Sequence, residues 1–333
     1  MKLCMVYRPD DRKINGSAYC SVFKGMFDAV IDRFETGVTV TRDCSAQDID
    51  ADVIFFFDVH SSHHITIDGI DKHPAVKMEY WNDPHQEEIH GQYIGTNETI
   101  HKLGAEQRCR RAQERGIDNI VSPVKYAFYE SFWKYLGSDA EKMLLHFPPA
   151  PSFESISTPL NKRKHAVLAN GATWGDNKNK GYEFRSWAYG QPYVTAVPHC
   201  VRDDKTPSGE NYHKLLSQFS AALALCTPFP VVKYFEIPLA GCLCFAEYHK
   251  EYEELGFREM ESCIYVDKHN FKKRINEFLN AREAKHFQDV ATQGRMLMEQ
   301  RYTARHFADF VYNQAFKTIG GNHGENRFNT KAD

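Results

Sequence analysis

Short apolar runs alternate with longer amphipathic stretches along the first half of the chain. The run DVIFFFD at 52–58 is almost continuously apolar and bounded by acids, which suits a strand buried on both faces of a parallel sheet. Residues 17–35 carry apolar side chains at helical spacing. Further apolar runs that predict strands lie at 1–7, 38–41, 75–81, 119–123 and 142–148. Such alternation of strands and helices indicates an α/β fold.

The same rhythm resumes in the second half. Strands are predicted at 164–171, 192–197, 222–229, 242–248 and 262–267, and helices at 182–190, 209–223, 231–241, 271–300 and 302–319. Between the halves, residues 148–163 read PPAPSFESISTPLNKR, which favours a linker because proline interrupts helices and central strands. An ordinary long loop within one domain is the alternative.

This pattern predicts two Rossmann-like domains that face each other across a cleft. We assign residues 1–155 to the first domain, 156–319 to the second and 320–333 to a polar tail that we expect to be disordered. Ligands of open α/β sheets bind beyond the carboxyl ends of the strands. Polar residues that follow strands are therefore the candidates for function.

Composition narrows the class of protein. Lys plus Arg number 41 and Asp plus Glu 44 among 333 residues, a net charge of −3 that argues against a protein built to wrap nucleic acid. The nine cysteines form no CxxC pair and suit a reducing compartment. No secretory signal or membrane-spanning run is evident, so we expect a cytoplasmic enzyme. The chain also lacks GxGxxG, Walker and GxSxG motifs, which disfavours dinucleotide oxidoreductases, P-loop NTPases and α/β-hydrolases.

The predicted helix at 231–241 carries the most specific candidate for a binding site. Lys233 and Glu236 are three residues apart and therefore share one helical face. The helix starts just after a predicted strand, so its free amides would favour a diphosphate, and Lys233 would add a formal charge. Glu236 could accept hydrogen bonds from a ribose diol. The alternative is an exposed ion pair without function.

The segment KYFEIPLAGCLCFAE resembles the pattern R-x-F-E-I-P-A-C-G-x-x-x-x-x-E of GT-B glycosyltransferases with a group 1-type C-terminal domain, in the branch related to spore maturation proteins. Four other segments also resemble patterns of this family at similar spacing. GYEFRSWA and GENYHKLLSQFSAALAL lie before this segment, and ESCIYVD and the region with Ala291, Gly294, Tyr302 and Thr303 lie after it. KMEYWNDPH resembles a strand end of the family's first domain. The chain departs from the family in having Glu183 where proline is usual, Ala221 where lysine is usual, and Arg305 closer to Tyr302.

The resemblance implies a donor site in the second domain. Glu236 would bind the ribose of a nucleotide sugar, and Lys233, in the family's arginine position, would meet the diphosphate with the amides near Val231 and Val232. Gly171 would let the backbone approach a phosphate or the sugar.

Arg185 is a candidate second cation for the phosphates; the alternative is a structural arginine. GT-B enzymes stabilise the leaving diphosphate with helix amides and cations, so we expect no metal and no other cofactor.

The acceptor side is predicted in the first domain. Asp58 and His60 follow the strand at 52–58, and Asp83 and His85 follow the strand at 75–81. An imidazole titrates near neutrality and can remove a proton from an acceptor hydroxyl, while a carboxylate can do the same or orient the hydroxyl. In an inverting reaction one of the four would be the general base. In a retaining reaction they would position the sugar.

These observations predict a cytoplasmic, metal-independent glycosyltransferase that moves a sugar from a UDP-, GDP- or similar nucleotide sugar to a hydroxyl of a glycan, glycolipid or other acceptor. Two alternatives stay open alongside it: a phage-type enzyme that glycosylates DNA bases, and a nucleotide-sugar or carbohydrate-binding protein without turnover. A sugar-nucleotide epimerase is a third.

Overall fold

The computed structural model describes residues 1–9, 21–57, 64–82, 104–171, 182–197, 209–281 and 283–325. The chain divides into two units. The first comprises Met1–Asn15, Met26–Pro148 and Arg305–Asp333, and the second comprises Gly16–Gly25 and Pro149–Ala304. The division at Pro148 falls at the start of the proline-rich segment, and the last helix is grouped with the first unit. No described helix is long and apolar enough to cross a membrane.

The first unit is built on a six-stranded, wholly parallel sheet with the strand order β2-β1-β4-β6-β7-β8. Its strands are β1 (Lys2–Val6), β2 (Glu35–Val40), β4 (Val53–Phe56), β6 (Val76–Tyr80), β7 (Asn119–Ser122) and β8 (Leu144–His146), with the short pair β3 (Cys44–Ser45) and β5 (Ile67–Asp68) beside them. Its helices are α1 (Ser21–Arg33, from Met26 on), α2 (Ala105–Arg115), α3 (Tyr126–Leu136), α4 (Asp139–Met143) and α11 (Ala304–Glu325, from Arg305 on).

Every residue of β4 is buried, which confirms the prediction of a strand covered on both faces. The charged helix α2 buries one side that includes Arg108, Cys109 and Ala112, because the small residues at helical spacing pack into the core of the unit.

The second unit carries a five-stranded parallel sheet with the order β10-β9-β11-β12-β13. Its strands are β9 (Lys164–Asn170), β10 (Thr195–Val197), β11 (Phe219–Ala224), β12 (Leu243–Glu247) and β13 (Ile264–Val266). Its helices are α5 (Glu183–Tyr189), α6 (Gly209–Gln218), α7 (Lys233–Leu239), α8 (Lys250–Glu254), α9 (Phe271–Leu279) and α10 (Lys285–Arg301).

Three predicted elements have different bounds in the structure. Residues 219–223, predicted as the end of a helix, form most of β11, because FSAAL is buried throughout in the sheet and the hydroxyl of Ser220 donates to the Lys164 carbonyl. The single helix predicted over 271–300 is two helices, α9 and α10. The final helix extends to Glu325, past the predicted end at 319, while 326–333 lie outside the described residues.

A buried ion pair fixes α2 against the sheet of the first unit. Arg115 Nη1 lies 2.9 Å from Glu79 Oε1 in β6, and both side chains are buried. The indole N–H of Trp81 donates to the other oxygen of Glu79, and Arg115 Nη2 donates to the Ile65 carbonyl. The guanidinium also lies 4.3 Å from the ring centroid of Phe56. Because these hydrogen bonds replace those lost to water, the buried charges are tolerated.

Removing one partner should therefore be far costlier than removing an exposed arginine from the same helix. We expect Arg115→Ala to lower the free energy of unfolding by about 3–5 kcal/mol, because the Glu79 carboxylate would stay buried without its partner. Arg110 forms an exposed ion pair with Glu114, so Arg110→Ala should cost about 0–1 kcal/mol. Urea unfolding monitored by tryptophan fluorescence measures both; equal losses would contradict the assignment.

Candidate functional site

Two neighbouring strands of the second unit end at the candidate site. Strands β9 and β11 are parallel, with Leu168 paired to Ala222, so their carboxyl ends lie at the same edge of the sheet. Gly171 follows β9 directly, and a short loop leads from β11 to α7. This confirms the expectation that the helix carrying Lys233 and Glu236 begins after a strand.

Gly171 is required by both its backbone and its surroundings. Its φ of 129° is a conformation that other residues rarely adopt. A Cβ built at this position would lie 2.8 Å from Cε of Lys233 and 3.6 Å from the hydroxyl of Tyr189. The absence of a side chain therefore lets Lys233 lie directly against the end of β9.

Lys233 is held by two neighbours. Its ammonium lies 4.2 Å from the ring centroid of Tyr212, within the range of a cation–π interaction. Nζ also donates to Oδ1 of Asn170 at 3.4 Å. Desolvation lowers the pKa of Lys233 to about 8, helped by the charge of Arg185 and opposed by that of Glu236. The ammonium of Lys233 is poorly solvated, so a bound anion would stabilise its charged form.

Glu236 lies one turn further along the same face of α7. It is only 8% exposed, so the alternative of an exposed ion pair is wrong. Desolvation raises the pKa of its carboxyl to about 7, and the positive charge of Lys233 opposes that rise. Within the described residues, no hydrogen bond to its carboxylate is formed. The carboxylate therefore retains its acceptor capacity for a ligand.

The start of α7 leaves backbone donors available. The carbonyl of Val232 accepts from the amides of Phe235 and Glu236, and the carbonyl of Val231 accepts from Tyr234. For the amide N–H groups of Val232 and Lys233, the described part of the chain supplies no acceptor. The predicted donors were the amides near Val231 and Val232, and the available N–H groups described here lie at Val232 and at the next residue, Lys233.

Arg185 is more deeply buried than a free surface cation. It is 4% exposed, its Nε donates to the Leu225 carbonyl at 2.6 Å, and its guanidinium carbon lies 4.0 Å from the ring centroid of Tyr182. The side chain therefore braces the loop after β11, and its charge acts on Lys233. Its role as a second phosphate cation stays a prediction.

Sequence reasoning missed three residues that complete this site. Tyr212 lies under the Lys233 ammonium, Asn170 accepts from it, and the Tyr189 hydroxyl donates to the carbonyl of Asn170 at 2.8 Å. Asn170 carried a signal, because it is the last residue before the glycine that follows a strand. Nothing in the pattern of the two tyrosines distinguishes them from core aromatics.

The predicted acceptor-side residues Asp58, His60, Asp83 and His85 lie outside the described residues. Their roles stay predictions. Among the residues that are described, no group of three or more His, Cys, Asp and Glu side chains is placed to hold a metal ion.

One family model matches the chain. The match to this model, described as glycosyl transferase-like, covers residues 160–313, which include most of the second unit's main segment and the start of the last helix. No curated protein gives a significant match. The predicted branch related to spore maturation proteins therefore stays a prediction.

Several solved structures share the fold. HepE (Alr3699) of Anabaena, solved with UDP and glucose, is 10% identical with a TM-score of 0.55 over 95% of this chain and 100% of its own. An alpha-glucosyltransferase in complex with UDP-glucose and DNA containing an abasic site is 10% identical, with a TM-score of 0.54 over 96% of this chain and 99% of its own. TarM is 11% identical with a TM-score of 0.50 over 79% of this chain, which spans about half, 54%, of TarM.

At these identities the structural matches show the fold alone. The two parallel α/β units and these structural matches confirm the predicted GT-B fold.

Replacing Gly171 tests the close approach of Lys233. We expect Gly171→Ala to lower the free energy of unfolding by about 1–3 kcal/mol, because the new Cβ would be strained and would displace Lys233. Gly190 is the matched control, because its φ is −79° and a Cβ built there would lie 3.5 Å from its nearest neighbour, the carbonyl oxygen of Trp187. Gly190→Ala should leave stability unchanged or raise it by about 0.4–1 kcal/mol. Thermal unfolding compares the two variants; similar losses would contradict the assignment.

The buried carboxyl of Glu236 predicts a pH dependence of stability. Its pKa is raised from 4.5 to about 7 in the folded protein, so the folded chain binds more protons than the unfolded chain between these values. The free energy of unfolding of the wild type should therefore fall, relative to Glu236→Gln, as the pH rises from 4.5 to about 7. Urea titrations across this range measure it. The exposed Glu210→Gln is the control, and parallel curves for the wild type and Glu236→Gln would contradict the prediction.

Proposed function

We propose that this protein transfers a sugar from a nucleoside diphosphate sugar to a hydroxyl acceptor. The observation that carries the proposal is that Lys233 and Glu236 lie on one face of α7 and that the Lys233 side chain lies against Gly171 at the end of β9. A cation, free amides and an acceptor carboxylate follow one another over a single helical turn. This order suits the phosphates and ribose of a nucleotide.

Each group of the site has a role in this proposal. Glu236 accepts hydrogen bonds from the two ribose hydroxyls, and a charge-assisted hydrogen bond is stronger than a neutral one. Lys233 and the amides of Val232 and Lys233 bind the diphosphate. Because desolvation has already lowered the pKa of Lys233, a bound anion would raise it and keep the ammonium charged.

The same groups would serve the chemical step. The bond between the anomeric carbon and the diphosphate oxygen breaks as the acceptor oxygen bonds to that carbon and loses its proton to a base or to the leaving diphosphate, and negative charge grows on the leaving phosphate. Lys233 and the amides at the start of α7 are fixed before the reaction, so they stabilise that charge without reorganisation. We propose that this replaces a metal ion, and that the reaction needs no other cofactor.

The structural relatives suggest which donor to test first. HepE was solved with UDP and glucose, and the alpha-glucosyltransferase with UDP-glucose. We therefore propose a uridine diphosphate sugar as donor, with GDP sugars as the next candidates. A cytoplasmic location belongs to the same proposal and is supported by seven free cysteines in the described residues.

The acceptor is the less determined half of the reaction. We assign acceptor binding to the first unit, with Asp58, His60, Asp83 or His85 as the general base if configuration is inverted. A DNA acceptor is the second candidate, because the alpha-glucosyltransferase was solved with DNA. The net charge of −3 counts against it.

Calorimetry with UDP, GDP, ADP and CMP tests the donor site. We expect one nucleoside diphosphate to bind, and Glu236→Gln to weaken its affinity by about tenfold or more, because the ribose would lose charge-assisted hydrogen bonds. Binding in EDTA should equal binding in buffer if no metal takes part.

Glu210→Gln, an exposed change of the same kind on α6, is the matched control and should bind like the wild type. Absence of binding by every nucleotide at millimolar concentration would overturn the proposed function. Binding without transfer to any glycan or DNA acceptor would favour the binding protein without turnover. Conversion of a donor sugar in the absence of acceptor would favour an epimerase.

A further inference from the structure

Asn170 has a polar group that the protein leaves unsatisfied. It is the last residue of β9 and is 3% exposed. Its side-chain Oδ1 accepts from Lys233 Nζ, and its backbone carbonyl accepts from the Tyr189 hydroxyl. In the described chain, Nδ2 is buried and has no hydrogen-bond partner. Native proteins satisfy most buried donors, so an unsatisfied one beside a candidate site indicates a ligand.

The orientation of the amide follows from its neighbour. An ammonium group carries donors and no acceptor, so it must face the amide oxygen. Nδ2 is therefore the group that needs a partner, and the partner must be an acceptor. The ammonium of Lys233 cannot accept a hydrogen bond, and the Tyr189 hydroxyl bonds to the Asn170 carbonyl and not to Nδ2.

A phosphate oxygen meets both demands of this location. It is an acceptor without donors, which suits Nδ2, and it is an anion, which suits Lys233. In the free protein the Lys233 side chain lies across Gly171 and Asn170, with its Cε 2.8 Å from the Cβ position of Gly171 and its Nζ on Oδ1 of Asn170. A phosphate that draws the flexible lysine away from Oδ1 would approach the same amide.

We propose that Asn170 binds the phosphate of the donor that lies farther from the ribose, and so makes the site select diphosphates over monophosphates. This rests on the proposed function. Glu236, assigned to the ribose, is one helical turn beyond Lys233, whereas Asn170 contacts the ammonium at the end of the lysine. The order along the site is therefore ribose, Lys233, then Asn170, which places the second phosphate at the amide.

The test compares the affinities of UDP and UMP by calorimetry, or of the corresponding pair if another base binds. Asn170→Asp replaces the donor by a charged acceptor of nearly equal size, which repels phosphate and pairs with Lys233. We expect UDP affinity to fall about tenfold or more and UMP affinity to fall less, because pairing of the new carboxylate with Lys233 weakens both ligands, whereas only UDP has a phosphate at the amide. Asn280→Asp, the same change at an exposed residue, should leave both affinities as in the wild type.

A second pair of variants separates direct binding from an effect through Lys233. If Asn170 contacts the phosphate, Asn170→Ala should weaken UDP binding in the Lys233→Met background as well as in the wild type. If the additional loss disappears in that background, Asn170 only positions the lysine and the proposal is wrong. Thermal unfolding confirms that each variant is folded. If Asn170→Asp does not fold, Asn170→Ala replaces it in the comparison of UDP with UMP.

The remaining outcomes separate this proposal from the proposed function. Wild-type UDP binding that falls in Glu236→Gln but persists in Asn170→Asp would overturn the role of Asn170 and leave the donor site standing. Equal losses of UDP and UMP in Asn170→Asp would contradict selection of the diphosphate. If the wild type binds no nucleotide, both proposals fail together.

Discussion

The close packing of Lys233 on Gly171 is the constraint on which the candidate site depends. A side chain at position 171 would occupy the space of the lysine's Cε, and the backbone there has a φ of 129°. Because Gly171 has no side chain, the ammonium of Lys233 contacts both Asn170 and the ring of Tyr212. Glu236 then follows on the same helical face. The position of the charged groups in the site therefore depends on the absence of a side chain at residue 171.

The two units treat buried charge in opposite ways. In the first, Glu79 and Arg115 form a close pair whose remaining hydrogen bonds are supplied by Trp81 and a backbone carbonyl. In the second, burial lowers the pKa of Lys233 and raises that of Glu236, and their mutual attraction only partly offsets this. A fully satisfied pair stabilises a fold, whereas an incompletely satisfied pair gains free energy from a ligand. This contrast distinguishes the structural pair, Glu79 and Arg115, from the candidate functional pair, Lys233 and Glu236, within a single chain.

The resemblance in sequence and the resemblance in fold extend over different parts of the molecule. The family match covers residues 160–313, whereas the fold of HepE matches over 95% of the chain at 10% identity. Parallel sheets need only buried apolar strands and crossover helices, which many sequences supply. A nucleotide site needs particular polar groups at particular strand ends. The second unit therefore carries the sequence match, and the first unit matches the known structures in fold alone.

The sequence by itself determined most strands of the two main sheets, the helix at 233–239 and the candidate pair Lys233 and Glu236, but not the short strands β3 and β5. These depend on local periodicity, on proline and glycine positions and on short motifs, all of which are properties of neighbouring residues. It misassigned 219–223, since an apolar run of that length fits a helix or a strand and only its place in the sheet decides between them. The burial of Glu236, the cation–π contact with Tyr212 and the unsatisfied amide of Asn170 were decided by tertiary structure alone. Each depends on residues that are distant in the chain and meet only when β9, α6 and α7 pack together.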